Sequence, residues 1–169
     1  MPKRATTIAV FFSLCLLLLQ GCYTFNGSSL PARFKTIAVP VFNDRSGAGI
    51  ANYRAELTRG LIDKIESQSA LRFTPSPGGA DLLLEGAIVS FSDQTGQLSS
   101  VTQRALTNRI TLVVEVSVQD RLKGKMLFTQ SFVGFADYPV GNYIAQQEAI
   151  RFALSQITEE IFDRVVSGW

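Results

Sequence analysis

The spacing of hydrophobic residues predicts two helices, one in the first half of the chain and one near its C-terminal end. Apolar side chains recur every three or four positions in residues 49–68, which indicates the buried stripe of an amphipathic helix. The same spacing returns from Ile150 to Val165, and Asn142 is a suitable N-cap for this second helix. Both segments are therefore predicted to be helical.

Three further segments have the pattern of strands. Residues 36–42 form a β-branched run in which Pro40 predicts an edge strand or a strand end, because proline cannot donate to a sheet ladder. A short strand is predicted at residues 71–74. Residues 81–91 carry apolar side chains on both faces near their start, which favours a central position in the sheet.

Residues 110–119 and 126–135 predict a hairpin. The first segment alternates a wholly aliphatic face with a mostly polar one, and Gly124 can adopt the positive φ that the connecting turn requires. Residues 92–100 are polar and lack periodicity, so we expect an exposed loop there.

Together these elements predict an α/β (α+β) fold with the order β-α-β-β-β-β-α. Since one strand face is aliphatic and the other polar, we expect a two-layer sandwich, with both helices packed on one face of a four-to-five-stranded mixed sheet. The polar sheet face would then be open to water or pressed against a partner.

The first 21 residues are predicted to be a lipoprotein signal peptide. Lys3 and Arg4 precede an apolar stretch, residues 8–19, that as a helix would span about 18 Å, well short of the roughly 30 Å of a membrane core. The sequence from Leu19 to Cys22 resembles a bacterial lipobox, which implies that Cys22 is acylated and becomes the first residue of the mature protein. The alternative is an ordinary secreted protein with a free Cys22.

The predicted signal peptide divides the chain into three parts: residues 1–21 as the signal peptide, 22–35 as a lipidated tether, and 36–169 as a single domain. Tyr23 follows the cysteine where lipoproteins retained in the inner membrane often carry Asp, so the outer membrane is the expected destination. Cys15 leaves with the signal and Cys22 is acylated, so no disulfide is expected and the fold must rest on its core.

Composition argues against most enzyme and nucleic-acid functions. The 169 residues include no histidine, which removes the commonest general base and metal ligand. Loss of Lys3 and Arg4 with the signal leaves 14 basic against 14 acidic residues, so no global positive field would attract nucleic acid. We expect no enzyme, no metal and no cofactor beyond the covalent lipid on Cys22.

Carboxylates are the remaining candidates for catalysis. Asp81 and Glu85 would lie on one face of a strand but about 13 Å apart, beyond the roughly 5 to 9.5 Å of a glycosidase pair. The acidic residues late in the final helix are expected to be solvated. An envelope hydrolase is therefore a minor alternative.

A group of basic residues is a surface feature with some functional content. Arg121, Lys123 and Lys125 cluster in the predicted hairpin turn, and Arg104 and Arg109 precede the strand at 110–119. These groups are candidates for holding the phosphates of an acidic glycolipid. The alternative is that the turn is simply charged, as surface turns often are.

Several segments in order resemble the LptE family of lipopolysaccharide-assembly lipoproteins. They are the Leu-Gln-Gly-Cys-Tyr-Thr-Phe sequence at 19–25, Leu-Pro at 30–31, Lys-Thr-Ile-Ala-Val-Pro-Val-Phe-Asn at 35–43, Ala-Asp-Leu-Leu-Leu-Glu-Gly at 80–86, and a C-terminal helix closing on Trp169. The similarity runs the length of the mature chain.

The resemblance implies a two-layer domain anchored through its lipid on the periplasmic side of the outer membrane. Such a protein would sit as a plug inside an LptD-type β-barrel, assist the assembly of that barrel, and bind lipopolysaccharide on its way to the outer leaflet. Arg121, Lys123, Lys125, Arg104 and Arg109 would be the candidate lipopolysaccharide contacts. The alternative is a structural or protein-binding envelope lipoprotein that does not bind lipopolysaccharide.

Overall fold

A computed structural model describes residues 30–49, 51–98 and 105–167 of the protein. The predicted signal peptide, Cys22, Ile50, Arg104 and Trp169 lie outside the described residues.

The described chain contains six strands and two long helices. The strands are β1 (Thr36–Ala38), β2 (Asn43–Asp44), β3 (Arg72–Phe73), β4 (Leu82–Leu98), β5 (Ala105–Asp120) and β6 (Lys125–Pro139); the helices are α1 (Ala51–Gln68) and α2 (Tyr143–Ser167), with a 3₁₀ turn at Pro77–Gly79. The strands form one mixed sheet in the order β3-β1-β4-β5-β6, and β2 pairs with β4 beyond the end of β1. β1 pairs in parallel with β3 and with β4, and β2 also pairs in parallel with β4. β4, β5 and β6 form an antiparallel meander.

The α+β class and the mixed sheet with its two helices are confirmed, and the boundaries of both helices are close to those predicted. The Asn142 side chain accepts a hydrogen bond from the Ala145 N–H at 3.0 Å, which is the expected N-cap geometry. Gly124 has φ of 62° in the turn between β5 and β6.

The predicted loop at residues 92–100 is wrong for most of its length. β4 continues to Leu98 and β5 begins at Ala105, five residues before the predicted start, so that Ser92 pairs with Thr111 and Gln97 with Thr107. Polar residues suit this ribbon because most of the β4 side chains beyond Ser92 are exposed. These strand ends are held by backbone hydrogen bonds. Because their side chains are not buried in a core, the sequence shows no hydrophobic periodicity there.

The region around Pro40 also differs from the prediction. β1 lies between β3 and β4 and is therefore not an edge strand, but it ends at Ala38, so Pro40 marks a strand end. Asn43 and Asp44 follow the predicted strand at 36–42 and form the short additional strand β2 against Ala87 and Ile88. This strand brings the sheet to six members instead of four or five.

One hydrophobic core lies between the sheet and the two helices. Five alternate residues of β5 face it and are fully buried: Ile110, Leu112, Val114, Val116 and Val118. The same cluster contains the stripes of both helices, which places α1 and α2 on one face of the sheet. Burial of these side chains is the main favourable term in folding.

Two glycines allow close approach in this core. A Cβ added to Gly134 of β6 would lie 2.1 Å from the Ala153 carbonyl oxygen of α2. A Cβ at Gly86 of β4 would lie 2.5 Å from the ring of Phe42, which is fully buried. Both positions therefore have room for glycine alone.

Candidate functional site: a basic end of the sheet

The end of the sheet where the described chain begins is held together by Asp81. Its carboxylate accepts hydrogen bonds from the backbone N–H groups of Lys35 at 2.8 Å and Thr36 at 2.9 Å, while its own N–H donates to the Thr36 hydroxyl. The Asp81 carbonyl accepts from the Arg121 N–H. Asp81 thus connects the segment before β1, the start of β4, and the β5–β6 turn.

The hydrogen bond from Lys35 is the main cause that lowers the pKa of Asp81, because the N–H groups favour the charged carboxylate. In the 80–86 motif, Leu82 and Leu84 point into the core, and Leu83 packs with Ala38 and Ala80 in a small second cluster. The Ala-Asp-Leu-Leu-Leu-Glu-Gly motif is therefore structural at most of its positions.

Asp120 organises the β5–β6 turn from inside. Its side chain is 1% exposed, accepts the Lys123 N–H at 3.0 Å, and pairs with the Arg33 guanidinium at 3.2 Å. This bonding fixes the backbone from which Arg121, Lys123 and Lys125 project, and all three side chains are exposed. The structure thus brings together the three turn cations that the sequence singled out.

Three more cations reach the same end of the sheet, and the sequence analysis missed them. Arg33 and Lys35 precede β1, and Arg72 begins β3 opposite Thr36. The register then runs across the sheet from Ile37 to Leu82 and from Leu82 to Asp120. We call this set the basic end: Arg33, Lys35, Arg72, Arg121, Lys123 and Lys125.

Both carboxylates at the basic end are already engaged, Asp81 by backbone N–H groups and Asp120 by Arg33 and Lys123. Arg72, Arg121, Lys123 and Lys125 form no ion pair in the described part of the chain, while the charge of Lys35 acts on Asp81. No local sequence motif signals this grouping, because the parallel pairing of β1 with β3 and β4 creates it.

Arg109 lies elsewhere. It sits in β5 eleven residues before Asp120, about 35 Å from the turn along the strand. Its guanidinium makes two hydrogen bonds to Asp137 of β6, at 2.7 and 2.8 Å, and these bonds lower the pKa of Asp137 and raise that of Arg109. Arg109 and the basic turn are therefore not parts of one site, while Arg104 lies outside the described residues.

A polar cluster occupies the same distant half of the sheet. The Tyr138 hydroxyl donates to the Asp93 carboxylate at 2.6 Å, and Gln146 of α2 donates to the same carboxylate at 2.7 Å. Burial, followed by the bond to Asp93, raises the pKa of Tyr138. The cluster ties the end of β6 and the start of α2 to β4.

The described residues contain no group of three histidine, cysteine, aspartate or glutamate side chains that could hold a metal ion. A polar groove of about 270 Å³ on the open face brings Glu85 near Glu115, but Glu115 is paired with Arg45 at 2.7 Å. Of the helices in the described ranges, neither has the length and apolar character that crossing a membrane requires.

The family model for lipopolysaccharide assembly named LptE matches residues 34–166. This match covers the six described strands, all of α1, and α2 except for its last residue. The chain belongs to the LptE family. No curated protein sequence matches it.

Solved structures show the same fold at low sequence identity. A DUF330 protein from Xanthomonas campestris is 13% identical with a TM-score of 0.58, covering 80% of this chain and 86% of its own. A minor lipoprotein from Acinetobacter baumannii is 12% identical with a TM-score of 0.53, covering 80% and 94%. An uncharacterised lipoprotein B from Nitrosomonas europaea is 10% identical with a TM-score of 0.52, covering 82% of each chain. These neighbours support the fold of this LptE family member, and two of them are described as lipoproteins.

Proposed function

We propose that this LptE family member is an outer-membrane lipoprotein that plugs an LptD-type β-barrel, assists its assembly, and takes part in moving lipopolysaccharide to the outer leaflet. The observation that carries the proposal is the family match over residues 34–166, which spans the whole core of the domain. The family is defined by lipopolysaccharide assembly, and the proposal includes no catalytic step.

Membrane attachment is proposed to come from the lipid on Cys22. Cys22 lies eight positions before Leu30, and Leu30 packs partly against the core. A fully extended tether of that length reaches about 27 Å, so the domain would stay close to the membrane that holds its lipid. Two or more acyl chains are sufficient for stable anchoring.

The open face of the sheet suits the polar lumen of a barrel. Thr111, Glu115 and Ser117 of β5 are only partly buried there, and the Glu115 carboxylate is neutralised by Arg45. Such a surface can exchange water for hydrogen bonds with a polar wall without burying unpaired charge. The equal numbers of acidic and basic residues in the mature chain also support placement in a confined lumen.

Lipopolysaccharide is proposed to bind at the basic end. Its phosphates are divalent anions, and Arg and Lys side chains form charge-assisted hydrogen bonds with such groups. Arg121, Lys123 and Lys125 project from a turn whose backbone Asp120 holds in place, so their positions are partly preorganised. Arg33, Lys35 and Arg72 extend the positive surface across the sheet.

The test compares two variants for lipopolysaccharide binding by the purified protein at two salt concentrations. Replacing Arg121, Lys123 and Lys125 together by Ala is expected to weaken binding by about tenfold or more, because three charged contacts are lost. Arg109→Ala is the matched control: it removes an exposed cation about 35 Å away that is already paired with Asp137.

The difference in lipopolysaccharide affinity between the triple variant and the wild type should be smaller at high salt, because salt screens exposed charges. Equal binding by the triple variant and the wild type would contradict the assignment of this site. An equal loss in Arg109→Ala would show that general charge, and not the basic end, governs binding.

A further inference from the structure

Within the described residues, the strand β6 is an edge of the sheet. There it pairs with β5 alone and runs for 15 residues. Between Phe128 and Ala136 the sequence has neither a charged residue nor a proline, and the β5–β6 register is regular there. Charges, prolines and bulges are the usual devices that prevent an edge from pairing with another strand, so their lack calls for a covering partner.

The backbone N–H and C=O groups on the outer side of β6 come from alternate residues of the strand. The Phe135 N–H points away from β5, because it donates to the Gln156 side chain of α2 at 2.9 Å. Alternate residues of a strand direct their N–H and C=O groups to the same side, so those of Ser131, Val133 and Asp137 also point outward. The bond to Gln156 shows that an N–H group of this row can donate to an amide oxygen beside the strand.

A groove beside the edge can receive side chains. It has a volume of about 540 Å³, lies between β6 and α2, and is lined mainly by small and aromatic residues: Phe135, Ala136, Ala145, Ala149 and Phe152. Phe135 is 48% exposed, Val133 47% and Phe152 57%. Exposure of large apolar side chains next to unpaired backbone groups is typical of a strand-docking surface.

The acidic residues of the groove favour a partner strand that carries a basic side chain. Asp137 and Glu148 line it, and none of its lining residues is basic. Asp137 is paired with Arg109, but Glu148 has no ion-pair partner in the described chain. A basic side chain on the occupant would complete this pair. The part of β6 from Phe128 to Pro139 contains no Lys or Arg, so a second copy of it would not supply this basic side chain.

We propose that β6 is extended by a strand of a partner protein, which presents an apolar side chain to the groove and a Lys or Arg to Glu148. Only an extended backbone offers donors and acceptors at the spacing of the outward row. The inference rests on the proposed function in one respect: it places the strand in the β-barrel partner.

Amide hydrogen exchange measured by mass spectrometry tests this docking. The full-length acylated protein is compared alone and in complex with its co-purified barrel, in the same detergent. We expect slower exchange in the complex for peptides covering residues 129–138. Unchanged exchange there within an intact complex would overturn the docking inference alone, whereas failure of any complex to form would overturn the proposed function as well.

A matched pair of variants separates the backbone from the side chain. Val133→Pro removes an outward N–H that β5 does not use, and Val133→Thr keeps that N–H with a similar shape. Val133→Pro is expected to weaken barrel association by about tenfold, and Val133→Thr by no more than about threefold. Equal association of both variants with the wild type would contradict the proposal.

Glu148→Lys gives an independent check should Val133→Pro fail to fold. Glu148 is an exposed helix position, so the domain is expected to tolerate this change. It should weaken association, and unaltered association would overturn the assigned charge pair. Concentration-dependent protection of β6 in the protein alone would identify a second copy as the occupant and would also overturn the proposal.

Discussion

Replacing Gly134 by Ala tests how closely α2 is packed on the sheet. The new Cβ would lie 2.1 Å from the Ala153 carbonyl oxygen and 3.0 Å from the Ile157 side chain, whereas carbon and oxygen atoms ordinarily approach to about 3.3 Å. The obstructing atom belongs to the helix backbone, so a rotamer change cannot relieve the contact. The helix would have to move outward by about 1 Å.

Such a displacement reduces packing along the buried stripe of α2, which includes Ala153, Leu154, Ile157 and Ile161. A radial gap of about 0.5 to 1 Å forfeits a quarter to a half of a dispersion contact, and overpacking of cores costs about 1 to 3 kcal/mol. The gain of about 0.5 to 1 kcal/mol from replacing a strand glycine offsets part of this cost. We therefore expect Gly134→Ala to lower the free energy of unfolding by about 2 kcal/mol.

The assay is urea unfolding followed by circular dichroism, with Gly79→Ala as the control. Gly79 has no atom within 4 Å of an added Cβ, so its variant should stay within about 0.5 kcal/mol of the wild type. Thermal unfolding should show a lower Tm by about 5 to 10 °C for Gly134→Ala. Equal midpoints for the wild type and Gly134→Ala would refute the close packing of α2 on β6.

Two further changes probe the ends of the domain. Asp81→Asn should lower the unfolding free energy by about 1 to 3 kcal/mol, because it weakens the acceptor for the Lys35 and Thr36 N–H groups; unfolding titrations at pH 7 measure it. Since the pKa of Asp81 is lower in the folded state, its contribution is present above the unfolded pKa of about 3.9 and is lost as pH falls through the folded value. The Asp81→Asn variant should accordingly lose less stability than the wild type between pH 5 and pH 2, and parallel pH profiles would contradict this role. Asn142→Ala should cost about 1 kcal/mol by removing the cap of α2, and an unchanged thermal unfolding midpoint would contradict it.

Sequence patterns predicted the elements whose side chains alternate between core and solvent. The aliphatic residues of β5 are fully buried, and the apolar stripes of both helices lie in the same core. In these segments the hydrophobic effect acts on side chains, so the period of the sequence records which face is buried.

The features that the sequence did not predict depend on backbone hydrogen bonds or on contacts between residues far apart in the chain. The outer halves of β4 and β5 are held by ladder hydrogen bonds between polar residues, which leave no apolar period. The basic end arises because parallel pairing brings Arg33 and Arg72 to the same end of the sheet as the β5–β6 turn, and neither residue belongs to a local motif. Arg109 resembled the turn cations in charge alone, while its bidentate pairing with Asp137 became visible only in the β5–β6 register.

We propose that this LptE family member works as the partner of an outer-membrane barrel. A mild-detergent pull-down of the tagged protein from native membranes, with mass spectrometry of the proteins retained in near equal amounts, tests this directly. We expect a large β-barrel protein at about a one-to-one ratio. Recovery of the protein alone, or only with peptidoglycan-associated proteins, would contradict it and favour a structural lipoprotein.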